Sequence, residues 1–210
     1  MFHKDISTFE ESEYLNLTNN IIGTDDEGNV YAAGTFFSDD YYNAIPNHSS
    51  DKGKYSIHLI KFDPTGKYVY ATPEGNYGAI YQLNSISIDA LGNVCVSGWQ
   101  EENSSFFVVF DNRGKKISRY GWNAELAQQT AGFDNLGNIH ALVLSDNNKP
   151  YMTVFKTDGT IISKIETVSG ILVKYSCSKA GFYMGGFFYE PTADLNFDEG
   201  VDMHTSNGSY

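Results

Sequence analysis

Asp89-Ala90-Leu91-Gly92-Asn93-Val94-Cys95-Val96-Ser97-Gly98 is the stretch whose reading decides how this chain folds. An Asp at the head of such a stretch can turn its side chain back onto the backbone, and a Gly three residues later supplies the φ > 0 that closes a hairpin. The β-prone run Val94-Cys95-Val96 then reads as the returning strand. The same order recurs at Asp25 to Asn29, followed by Val30 and Tyr31, and at Asp134 to Asn138, followed by Ile139 and His140. Ser178 to Gly181, followed by Phe182, Tyr183 and Met184, is a decayed fourth copy.

Between these lies a second kind of turn, in which an apolar strand ends in Phe and Gly stands four residues on. It occurs at Phe62-Asp63-Pro64-Thr65-Gly66, Phe110-Asp111-Asn112-Arg113-Gly114 and Phe155-Lys156-Thr157-Asp158-Gly159. The two kinds alternate strictly along the chain, and past the first copy their glycines recur every ~45 residues, the period of a repeat architecture. Flanking runs such as Ser56 to Phe62 and Tyr68 to Tyr70 are rich in β-branched and aromatic residues. One hairpin of each kind therefore makes a four-stranded antiparallel unit.

That unit matches a propeller blade. A blade is covered on both faces, which explains the unbroken apolar run Phe106-Phe107-Val108-Val109-Phe110,. The expectation is an all-β chain, a β-propeller or part of one, as a single repeat domain over 1–210. Its units fall at about 20–72, 84–120 and 129–165, with an incomplete one at 172–210. Residues 1–19 carry Ile6-Ser7-Thr8-Phe9, which resembles Ile117-Ser118-Arg119-Tyr120, the last strand of a unit, and are expected to supply that strand to a preceding or a ring-closing blade. Two insertions break the period, 38–54 and 189–209, each after a Phe-Phe pair (Phe36-Phe37 and Phe187-Phe188).

Composition narrows the partners. The formal net charge is -12 and aromatics make up 15% of the residues. That field repels phosphate backbones, so no nucleic-acid partner is expected. No apolar run approaches the length needed for membrane insertion, and Lys4, Asp5, Glu10, Glu11 and Glu13 leave no apolar signal-peptide segment in the first twenty residues,. Cys95 and Cys177 sit at strand positions without metal-ligand spacing and read as buried free thiols,.

The pattern Asp26-Glu-Gly-Asn-Val-Tyr-Ala-Ala-Gly34, with Leu91-Gly-Asn-Val-Cys-Val-Ser-Gly98, resembles the bacterial β-propeller repeat known as SBBP. The ending Asn207-Gly-Ser-Tyr and the acidic stretch before it resemble that family's inter-strand insertion. NHL repeats are a weaker match, because they usually carry Asp where this chain has Gly34 and Gly98. The resemblance implies a propeller and, by association, an extracellular or cell-surface setting. It implies no reaction, since such families have no common catalytic residue to carry over. At His140 to Val143 and at the Ser178 turn the chain departs from the pattern.

No catalytic residues are assigned. His3, His48, His58, His140 and His204 share no ligand spacing, and no nucleotide, zinc or nucleophile motif is present,. Calcium is the one cofactor to weigh. Leu91, Leu136 and Arg113 stand where a repeated Asp-x-x-Gly loop would need oxygen ligands, so the turns are structural,. The loop around Asp194, Asp198 and Asp202 is the better calcium candidate, against the plainer expectation of a solvated acidic loop. For ligand binding the candidates are Tyr41, Tyr42 and Tyr189, aromatics beside or within the insertions that could stack on a glycan or grip a protein. The leading expectation is a non-catalytic module that binds a protein or glycan. Alternatives are a propeller enzyme, a lyase or hydrolase with its site assembled from several blades at the central channel, and a structural spacer.

Overall fold

In the computed structural model the described residues are 18–37, 55–77, 80–100, 104–123, 130–144, 150–166, 171–178, 181–187, 192–194 and 203–205. Among the described residues all sixteen elements are strands. The first sheet holds β1 (Thr18–Thr24), β2 (Val30–Phe37), β3 (Tyr55–Phe62) and β4 (Tyr68–Tyr77) in sequence order. The second holds β5 (Ile80–Ile88), β6 (Val94–Gln100), β7 (Ser104–Phe110) and β8 (Lys116–Asn123), and the third β9 (Ala131–Phe133), β10 (Ile139–Leu144), β11 (Pro150–Phe155) and β12 (Ile161–Glu166). Every pairing is antiparallel. Two two-stranded sheets follow, β13 (Ile171–Ser178) with β14 (Gly181–Phe187), and β15 (Thr192–Asp194) with β16 (Met203–Thr205).

The three four-stranded sheets stack face to face as propeller blades, and the second is covered on both sides. Val94, Val96, Phe106, Val108 and Phe110 share one buried cluster with Tyr31, Ala33, Ile57 and Leu59 of the first sheet. One residue along, Cys95, Phe107 and Val109 point the other way, into a cluster with Ala131, Phe133, Ile139, Ala141 and Phe155 of the third. The period-2 alternation of a strand sends neighbours to opposite faces, so a run of five apolar residues feeds two interfaces at once. Phe107 and Tyr120 meet Phe155 across the second interface, with ring centroids 5.1 and 4.6 Å apart. Burying one such ring contributes roughly 1.5–3 kcal/mol.

The first strands of the sheets, β1, β5 and β9, approach one another and form the inner end of the stack. Within the second sheet, the irregular pairing of β5 with β6 explains Gly98: a Cβ there would lie 2.4 Å from the Gln82 carbonyl oxygen. The short inner strand β9 has an edge that would leave backbone groups unpaired, and serines of the second blade cover it. Ser97 Oγ accepts from the Ala131 N–H at 3.0 Å, Ser87 Oγ accepts from the Phe133 N–H at 3.0 Å, and Ser85 Oγ donates to the Ala131 carbonyl at 2.7 Å. These bonds fix the register between blades as well as satisfying an edge.

Candidate functional site

Both kinds of tight turn lie at one end of the blades. In the first kind, the Asp backbone N–H donates to the carbonyl of the Asn four residues on, and the Gly N–H donates back to the Asp carbonyl. Gly28, Gly92 and Gly137 take φ of 81°, 77° and 79°. This is a type I turn closed by a glycine bulge. The Asp side chain completes it. Asp89 Oδ1 accepts from the N–H groups of Leu91 and Asn93 at 2.9 and 2.8 Å, and Oδ2 accepts from Asn93 Nδ2 at 2.8 Å. Asp25 and Asp134 make the same three bonds.

A further member of this network lies six residues after the Asp. Tyr31 Oη donates to Asp25 Oδ2 at 3.0 Å, and His140 Nε2 sits 2.9 Å from Asp134 Oδ2. In the second blade the same position is Cys95, buried among apolar neighbours. Burial alone would push the carboxyls of Asp25 and Asp134 up. The bonds from Asn29, Tyr31 and Glu27, and from His140, Asn138 and Leu136, outweigh it and hold both below the ordinary value,. Burial first, and then Asp25, raises the Tyr31 hydroxyl above its usual range.

The second kind of turn repeats the design with one change. Asp63 Oδ1 accepts from Thr65 and Lys67, and Asp111 Oδ1 from Arg113 and Lys115. In the third blade Lys156 stands at the Asp position and Asp158 accepts from the Thr160 N–H instead, at 2.8 Å. Gly66, Gly114 and Gly159 again have φ of 80° to 87°. Arranged in this way, the repeat's carboxylates close turns by accepting from backbone N–H groups within them.

The opposite end carries the β2–β3, β6–β7 and β10–β11 connections, which leave from the pairs Phe37 and Tyr55, Gln100 and Ser104, and Leu144 and Pro150. Tyr41, Tyr42, Tyr189, Asp198 and Asp202 lie outside the described residues. Asp194 was expected in a loop and instead ends the strand β15, paired with Met203 of β16. His204 also belongs to β16, opposite Ala193. Among the described residues no group of three or more His, Cys, Asp or Glu could hold a metal ion. His58 is buried with its Nε2 3.1 Å from Ser56 Oγ. Sequence reasoning missed the six-residue reach of Tyr31 and His140 and the serine contacts to β9. The recurrent offset from the turn Asp, and the alternation Ser85-x-Ser87, were the signals available.

No family model matches the chain, and no curated protein matches it in sequence. Solved structures similar to it include the β-propeller domain of the trilobed protease from Pyrococcus furiosus, described as having an open velcro topology. The identity is 13% and the TM-score 0.49, over 90% of this chain and 57% of that one. A putative gluconolactonase is similar at 15% identity and TM-score 0.42, over 80% and 55% of the two chains. A protein of unknown function from Bacteroides caccae is similar at 12% identity and TM-score 0.42, over 90% and 73%. The chain thus spans less than two thirds of the first two. The assignment of propeller blades rests on the strand order and the stacking of the sheets.

Proposed function

We propose that this chain is a non-catalytic β-propeller module that binds a glycan or protein partner through its insertions, as part of a bacterial secreted or cell-surface protein of the SBBP type. The observation that supports this reading is the use of the repeated carboxylates. Asp25, Asp89 and Asp134 each accept from two backbone N–H groups and an Asn side-chain amide of their own turn, a use that supports reading the repeat itself as scaffold. What differs from blade to blade is the connection between the second and third strands. Among the three four-stranded sheets it is longest between Phe37 and Tyr55, where it carries Tyr41 and Tyr42. Aromatic side chains on such a connection supply stacking area for sugar rings or a hydrophobic anchor for a protein.

Co-sedimentation with insoluble peptidoglycan, chitin and cellulose tests the glycan form. Retention by at least one polymer is expected, with Tyr41→Ala/Tyr42→Ala weakening it roughly tenfold, since each lost stacking contact contributes about 0.5–1.5 kcal/mol. An unchanged melting temperature in the variant would separate binding from folding. Release of soluble sugar from any polymer would instead favour the multi-blade enzyme, and retention unaffected by the double substitution would remove these tyrosines from the account.

A further inference from the structure

The two interfaces between blades differ at equivalent places, in polarity and in size. Counting back from the Phe that ends each third strand, Ile57 of the first blade corresponds to Ser105 of the second, and Val108 of the second to Thr153 of the third. Ile57 and Val108 belong to the apolar cluster of the first interface, and both are 0% exposed. Ser105 and Thr153 are as deeply buried, at 0% and 1%. Ala131 and Ala141, in the cluster of the second interface, stand where the first has Ile86 and Val96.

Register turns both hydroxyl residues into the second interface. Ser105 is paired with Trp122 of β8 and Thr153 with Ala141 of β10, and directly paired residues share a face of their sheet,. Trp122 and Ala141 both belong to the cluster between the second and third blades. Phe107 and Phe155, whose rings meet at 5.1 Å, lie two residues beyond Ser105 and Thr153 on the third strands of their blades. Two residues back along the same faces, Ser105 stands opposite Thr153.

Neither hydroxyl has a hydrogen-bond partner among the described residues. A buried hydroxyl left unpaired is costly, and native interiors satisfy it with a protein group or an ordered water. Facing sheets stand about 10 Å apart, so a serine and a threonine, each reaching one atom past Cβ, are too short to meet across the gap. Two facing hydroxyls supply the polar partners that a buried water needs.

We propose that the second interface is a water-binding site, in which one ordered water bridges Ser105 Oγ and Thr153 Oγ1. It completes a polar contact at the place where the first interface closes with Ile57 and Val108. The site lies between blades and is independent of the binding role of the insertions, which leave from the strand ends at Phe37 and Tyr55.

Oxygen-17 relaxation dispersion of the solvent, which counts waters held inside a protein, tests this on the 210-residue chain in solution. Ser105→Ala/Thr153→Val removes both hydroxyls at nearly constant shape and should hold one long-lived water fewer than the parent. A crystal structure of the parent should place that water at about 2.8 Å from both oxygens. Circular dichroism checks the fold of the double variant, and Thr153→Val alone serves in its place if the pair is disturbed. An unchanged water count in the folded variant overturns the inference. So does a crystal structure in which the two hydroxyls bond to each other or to main-chain carbonyls, or in which a larger molecule lies between them.

Discussion

Asp89, its counterparts and the glycine three residues on carry each inner hairpin, and their substitution has an expected size. Asp89→Ala removes three hydrogen bonds, two of them to backbone N–H groups at a half-buried turn. It should lower the urea-unfolding free energy by roughly 1–3 kcal/mol. Leu91→Ser, at a side chain 75% exposed in the same turn, should change it by less than about 0.5 kcal/mol,. Acid provides a second residue-scale test. The folded-state carboxyls of Asp25 and Asp134 lie below the ordinary 3.8, so the stability they contribute is complete above that pH. It is lost as pH falls through 3.8 toward the lower folded-state values. Thermal midpoints should therefore fall on acidification below about pH 4, and less steeply in Asp134→Asn, which has no charge to lose. A variant with the same acid slope as the parent would place the pH sensitivity elsewhere.

At the scale of the element, the hairpins were legible because their chemistry is local. The Asp and Gly offsets and the β-prone runs lie within ten residues of one another, and strand order follows from chaining them. The double-sided core of the second blade was legible too, since Phe106 to Phe110 has no polar residue to turn toward water. The bulges after the outer turns were not. Phe62, Phe110 and Phe155 each pair with the residue six ahead and leave Val69, Ile117 and Ile162 as the extra residue of the bulge, all about half exposed. An apolar residue at a bulge resembles a core position in sequence, and only the ladder reveals it. Bulges of this kind twist an outer edge strand away from further pairing, a role that sequence pattern does not announce.

For the whole molecule, the interfaces between blades decide whether separate hairpins become one structure. The first interface has an apolar centre, built on Tyr31, Leu59, Val96 and Phe106, with an ion pair from Lys116 of β8 to Glu74 of β4 beside it. The second adds polar bonds between Ser85, Ser87, Ser97 and the edge of β9 to the aromatic cluster around Phe107. These contacts join residues more than thirty positions apart, beyond any local pattern, which is why the blades could be read and their fastening could not. The insertions pose the same difficulty: spacing located 38–54, and what Tyr41 and Tyr42 recognise depends on groups outside the repeat.

Amide hydrogen exchange at Ala131 and Phe133 tests the stacking of these blades most directly, because within their own sheet those N–H groups face an open edge and only serines of the neighbouring blade can protect them. The account predicts slow exchange at both in the parent protein. In Ser97→Ala, Ala131 should exchange at least about tenfold faster, as expected for the loss of one bond near 1.4 kcal/mol, while the β6–β7 ladder stays protected,. Exchange of both amides at the rate of an unstructured chain in the parent protein, with the β10–β11 ladder protected, would show hairpins that form without stacking and would contradict the propeller arrangement.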